Sequence, residues 1–222
     1  MPHRSPLPVV VGLGLSLAAA VSTVTWIACA PAEAQGVIVQ STPPLTPATV
    51  AASDSGIVTG NPQGDVTLVE VFDYQCPVCR QVHPDVMRLV TEDGNIRLVH
   101  KHWPILGAAS VHAAELALAA RWQDRYDAVH TALMGQRGKL TRQSVREAAA
   151  AAGLDLARAD ADLTARRDEI DTILAGAARE ATIMGLRGTP AFLVGNYVVP
   201  GGLAHDDLAE LVRLVRAGAD GG

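Results

Sequence analysis

At 222 residues with 49% apolar side chains, the chain can bury a full core in one sizeable domain without disulfide staples. A net charge of −5 with scattered basic residues, and only 4% aromatics, exclude a nucleic-acid surface built on a basic stripe or a stacking platform. Three cysteines are too few for a disulfide framework.

Residues 1–34 have the form of a signal peptide. Arg4 gives a positive start, an uncharged apolar run covers 9–20, and Ala32-Glu33-Ala34 places small residues at a cleavage site before Gln35. Weakly apolar sequence continues to Ala30, so a retained membrane anchor is the alternative. Trp26-Ile27-Ala28 before Cys29 does not fit a lipidation site. Cleavage leaves two cysteines, Cys76 and Cys79. Residues 35–60 are rich in Pro, Thr, Ser and Ala and read as a flexible linker. They hold no heptad pattern for an oligomerisation stalk, and a monomer is expected.

Residues 65–73 read as a buried strand, because Val66, Leu68, Val69, Val71 and Phe72 make a nearly continuous apolar run. A helix is predicted over 76–91, with Val82, Val86, Leu89 and Val90 on one side, Gly94 past its end and a kink at Pro84. A second strand over 96–102 closes a βαβ unit with a parallel pair. Alanine-rich helical spacing then covers 110–134, 141–152 and 156–184, with Thr141 as an N-cap and Gly153 and Gly185 as stops. Two short strands, 191–194 and 197–199, flank a Gly195-Asn196 turn, and 206–217 closes the chain as an amphipathic helix.

Cys76-Pro77-Val78-Cys79 falls directly after a strand and at a helix start. There, unpaired backbone N–H groups and the positive helix end favour a thiolate. Cys76 is the expected exposed, attacking sulfur and Cys79 the sheltered, resolving one. Pro77 suits the first helical turn, which needs no backbone donor. A disulfide across so short a loop adds little stability, so the pair points to redox chemistry. His83 is a third potential zinc ligand, with His100 and His102 as remote additions, but no fourth ligand follows at a usual spacing and no metal site is expected. His112, His130 and His205 read as helix-surface residues, and the arginines of 158–179, alternating with acids, as a solvated face.

Gly188-Thr189-Pro190 stands just before the predicted hairpin. With FDYQCPVCRQVHP, KHWPILGAAS and GLRGTPAFLVG in this order, the sequence over residues 60–217 resembles the DsbA-like thiol:disulfide oxidoreductases. The resemblance implies an α/β thioredoxin fold, βαβ…ββα, formed by 61–107 and 185–222 with an inserted helical domain over 108–184. It implies a cis Thr189–Pro190 bond facing Cys76, with Thr189 and Pro190 binding an extended substrate segment. Glu70 would be the buried acid that helps take the proton from Cys79, with Lys101 as its partner, and Pro77, Val78 and Glu70 would tune the redox pair. Val78 replaces a histidine and Thr189 a valine of the best-known members, which argues against strong oxidant character. The resemblance further implies a periplasmic or otherwise exported protein whose only redox group is the Cys76–Cys79 disulfide, with no other cofactor. Its partners would be cysteine-containing exported proteins and a membrane or soluble redox partner. The competing reading is a thioredoxin-fold module binding copper(I) or zinc through the same two cysteines.

Overall fold

The computed structural model describes residues 45–219. The signal-peptide segment, Cys29 and the first part of the expected linker lie outside the described residues. The described residues fall within one compact unit.

The elements in chain order are α1 (Pro47–Ala52), β1 (Ile57–Gly60), β2 (Val66–Phe72), α2 (Pro77–Asp93) and β3 (Ile96–His102). There follow α3 (Ala108–Ala120), a 3₁₀ turn (Arg121–Gln123), α4 (Tyr126–Met134), α5 (Arg142–Ala151), α6 (Leu156–Ala165) and α7 (Arg167–Ile183). The chain ends with β4 (Ala191–Val194), β5 (Tyr197–Pro200) and α8 (His205–Ala219). The five strands form one sheet in the order β1-β3-β2-β4-β5, with β2 and β3 parallel and the other neighbours antiparallel. This is the α/β thioredoxin fold with helices inserted between β3 and β4.

Both central strands are buried almost throughout, which explains their near-continuous apolar runs. On one face Leu68, Leu98 and Phe192 pack against Val82, Val86 and Leu89 of α2 and Leu208 and Leu211 of α8. On the other face Val69, Val71, Val99 and Leu193 meet Val50 of α1 and Ala181 of α7. A third cluster joins Phe72, Tyr74 and the two cysteines to the inserted helices through Leu116, Val129, Leu133 and Ile170. The redox turn is therefore rooted in the core of the insertion.

The expectation of a linker through residue 60 is corrected. Thr46 and Thr49 form a reciprocal capping box that starts α1, and Pro47 fills the first turn. Ile57–Gly60 then pairs with β3 as an antiparallel edge strand. The predicted helix 110–134 is also divided: Asp124 adopts a left-handed conformation (φ 54°), which an aspartate tolerates, and separates α3 from α4. The helix predicted over 156–184 is interrupted at Arg166. By contrast α2 runs through Pro84 as one helix and stops at Gly94, whose φ of 70° suits glycine.

Candidate active site

Cys76 is the N-cap of α2. Its sulfur accepts the Cys79 backbone N–H at 3.3 Å and lies 3.3 Å from the Thr189 carbonyl oxygen, to which the thiol donates. The Thr189–Pro190 bond is cis, as the resemblance implies. Both cysteines are free thiols and both are buried: Cys79 is 0% exposed and Cys76 only 4%. The expectation of an exposed Cys76 is thus corrected, because the Thr189 carbonyl lies against its sulfur. A hydrogen bond from the Cys79 thiol draws the Cys76 thiol down to about 6, against the effect of burial and with help from the Cys79 backbone N–H. That same bond, with burial, pushes the Cys79 thiol up. The pair is electrically asymmetric, with one sulfur ready to ionise and the other reluctant.

Two residues that the sequence did not single out hold this turn. Arg80 donates from Nε to the Tyr74 carbonyl at 2.6 Å and from Nη1 to the Gly138 carbonyl at 2.7 Å, tying the redox turn to the helical insertion. Asp73 accepts three backbone N–H groups: Gln75 at 2.7 Å, Ile105 at 2.8 Å and Leu106 at 2.9 Å. This carboxylate fastens the loop after β3 to the cysteine turn. Around the turn stand exposed apolar side chains, Val78 at 42%, Ile105 at 44% and Leu106 at 43%. Gly202 allows its own loop to lie against Val78, since a Cβ there would come within 2.8 Å of a Val78 methyl. A cleft lined by Ser55, Arg97, Arg121 and Glu180 lies elsewhere and includes neither cysteine.

Glu70 is fully buried on β2, as expected, but its partner is not Lys101. In the parallel ladder Glu70 aligns with His100, and Lys101 aligns with Val71. Successive side chains of a strand point to opposite faces, so Lys101 is directed away from Glu70. It meets Glu180 of α7 at 3.0 Å and also donates to Ser53 and Ser55. On the other face, Glu70 Oε2 lies 3.5 Å from His100 Nδ1, without a hydrogen bond at either carboxyl oxygen among the described residues.

His100 belongs to a buried group of rings. Its centroid lies 4.2 Å from that of His130, which lies 5.0 Å from that of His83. Tyr74 Oη meets His130 Nδ1 at 2.8 Å, and His102 Nε2 meets Tyr126 Oη at 2.9 Å. Burial pushes His83, His102 and His130 towards the neutral form, His102 to about 3. The surface positions expected for His112 and His130 are corrected, since both are buried in helices that pack within the insertion. His205 remains half-buried at the start of α8, between Glu92 and Asp206. Among the described residues, no group of three or more His, Cys, Asp or Glu side chains is arranged to hold a metal ion.

A family model described as "Thioredoxin" matches residues 52–213. A thioredoxin-like oxidoreductase from Silicibacter pomeroyi DSS-3 is 41% identical, with a TM-score of 0.73 over 76% of this chain and 96% of its own. The thiol:disulfide interchange protein DsbA of Bordetella pertussis is 28% identical over 186 residues, 77% of this chain and 86% of that protein. A periplasmic thioredoxin-like protein from Salmonella enterica serovar Typhimurium is 26% identical with a TM-score of 0.67, over 77% of this chain and 96% of its own. The chain therefore belongs to the thioredoxin family. A Na(+)/H(+) antiporter NhaA 1 of Salinispora arenicola is also 34% identical over 146 residues, 64% of this chain, but the chain spans only 22% of that protein's length. No helix among the described residues is long and apolar enough to cross a membrane.

Proposed function

We propose that the chain is an exported thiol:disulfide oxidoreductase that acts on cysteine-containing proteins outside the cytoplasm, with Cys76 as attacking and Cys79 as resolving sulfur. The observation that carries this reading is the asymmetry of the two thiols: Cys76 caps α2 beside the Thr189 carbonyl and is drawn down to about 6, while Cys79 is pushed up. A substrate thiolate attacks the Cys76 sulfur of the oxidised pair, or the Cys76 thiolate attacks a substrate disulfide. Either route gives a mixed disulfide at Cys76: in reduction Cys79 attacks Cys76 and frees the substrate, and in oxidation a second substrate thiolate attacks the substrate sulfur and frees Cys76. Thr189 and Pro190 line the substrate path, and the apolar rim of Val78, Ile105 and Leu106 suits the unfolded segments in which such cysteines occur. All the redox chemistry lies in the two sulfurs.

The Val78 side chain places no charge and no hydrogen-bond donor beside Cys76, where only its backbone N–H contributes. The disulfide should therefore be a weaker oxidant than the ~−120 mV of DsbA, closer to the isomerases and reductases. Timed alkylation of the reduced protein and equilibration of the pair in glutathione buffers test both statements. Cys76 should be labelled first, and the potential should be more negative than about −120 mV. Faster labelling of Cys79 would reverse the assigned roles.

A further inference from the structure

Cys79 presents a problem that the exchange reading leaves open. To resolve a mixed disulfide it must lose its proton, yet it is 0% exposed and its thiol resists ionisation. Cys79 does not face bulk solvent, which favours a neighbouring side chain as the proton acceptor. Glu70 projects from the side of β2 that α2 covers, as Leu68 two residues earlier packs against Val82 and Val86.

His83 shares the buried side of α2 with Cys79 and feels the charge of Glu70. It lies four residues after Cys79 on the buried side of α2, and positions i and i+4 of a helix are neighbours. Helical side chains lean towards the N-terminus, which directs the imidazole of His83 back over the turn that carries Cys79. His83 is 5% exposed, and neither ring nitrogen has a hydrogen-bond partner among the described residues. Buried polar atoms are seldom left in this state, and six of them gather here: both oxygens of Glu70, both nitrogens of His83, Nδ1 of His100 and Nε2 of His130. A purely structural cluster would be under pressure to pair or lose these groups.

We infer that His83 is the base that accepts the Cys79 proton, with Glu70, His100 and His130 accommodating the charge behind it. This deepens the exchange reading and rests on it. In the step, the Cys79 S–H bond breaks and an N–H bond forms on His83. The Cys79 thiolate attacks the Cys76 sulfur, closing the Cys76–Cys79 disulfide, and the substrate sulfur leaves with the bonding pair as a thiolate. Once the substrate has left, His83 gives the proton up to solvent, because burial favours its neutral form, and a proton is taken up again when the disulfide is next reduced. No further reactant is consumed. Burial keeps His83 neutral near pH 7, so its lone pair is available, and the Glu70 carboxyl favours the imidazolium once it forms. His100 opposes that charge. The other groups facing the cluster are His102 from β3, Tyr74 from the redox turn and Tyr126 from α4.

The test mixes the reduced full chain with 5,5′-dithiobis(2-nitrobenzoate) in a stopped-flow instrument. The first nitrothiobenzoate is released by attack of Cys76, and the second by attack of Cys79 on the resulting mixed disulfide. His83→Gln should leave the first release within about twofold and slow the second by roughly a hundredfold, the usual range for loss of a general base. The slowed phase should climb about tenfold per pH unit, as hydroxide takes over the proton. In His83→Ala, added imidazole should restore the second phase, which a merely structural role would not allow. An unchanged second phase in His83→Gln, or equal loss of both phases, overturns the inference. Absence of the first release from the unaltered protein overturns the exchange reading instead.

Discussion

Two buried polar groups on opposite faces of the same sheet are built to opposite rules. On the α7 side, Lys101 and Glu180 meet at 3.0 Å, and Ser53 and Ser55 bond to both partners. Every contact there is made, and the result fastens the segment between α1 and β1 to α7. On the α2 side, Glu70, His83 and His100 crowd together with few of their polar atoms bonded. A completed network specifies one arrangement, whereas an incomplete one retains capacity to take up a proton. The neighbouring pairs Val71–Lys101 and Glu70–His100 of the same two strands thus lead into contrasting settings, one fully bonded and one not.

The sharpest way to break this contrast is to remove one partner of the anchored pair. Lys101→Met leaves the Glu180 carboxylate buried without its cation and should destabilise the protein by about 3–5 kcal/mol in urea unfolding. Lys101→Met combined with Glu180→Leu should recover most of that loss, and neither change should alter the first nitrothiobenzoate release. Recovery that fails would mean that the serines, not the ion pair, hold the segment.

Acid should act on the other region. His102 falls from its ordinary 6.5 to about 3 when buried, and His83 and His130 move in the same direction. Between those values the unfolded chain binds more protons than the folded one. The stability is therefore full above pH 6.5 and drains as pH falls towards the folded values, by about 1.4 kcal/mol per pH unit for each histidine kept neutral. Urea midpoints at pH 7 and pH 5 measure this, and His102→Phe should flatten the dependence. An unaltered slope in that variant would show that His102 is protonated while folded.

The smallest effect is expected from Glu70→Leu. Replacing an unpartnered buried carboxyl with an apolar side chain should raise stability by about 1 kcal/mol while slowing the second release. A thermal melt and the same stopped-flow assay report the two readouts together. Loss of stability would show that Glu70 is as well partnered as Glu180.

Much of this contrast was hidden in the sequence, and for particular reasons. The strand at β2 and the helix start at Cys76 were legible, because a continuous apolar run and a Cys-Pro-x-Cys turn are local signals. The cis bond at Pro190 was reached through the family resemblance, since a Thr-Pro dipeptide alone favours the trans form. The expected pairing of Lys101 with Glu70 fails because pairing depends on register, and a shift of one residue along a strand moves a side chain to the other face. The surface position expected for His130 neglects that it lies four residues after Tyr126 on the face that also carries Val129 and Leu133. That spacing was the available clue to its burial. Helix α1 and strand β1 were missed in a Pro- and Thr-rich stretch, where the capping box used a second threonine and the strand was four residues long. Asp73 gave no cue at all, since its three donors come from its own turn and from a loop some thirty residues away.

The grip of Asp73 has a consequence for how such a protein diversifies. Its bonds go to backbone N–H groups of Ile105 and Leu106, which every residue type except proline offers. The clamp fixes where the rim stands and is indifferent to what the rim displays. Residues 105 and 106 can exchange one side chain for another without moving the cysteine turn or changing the donors that face Cys76. The surface that residues 105 and 106 display can therefore drift while the backbone donor at Cys76 stays in place.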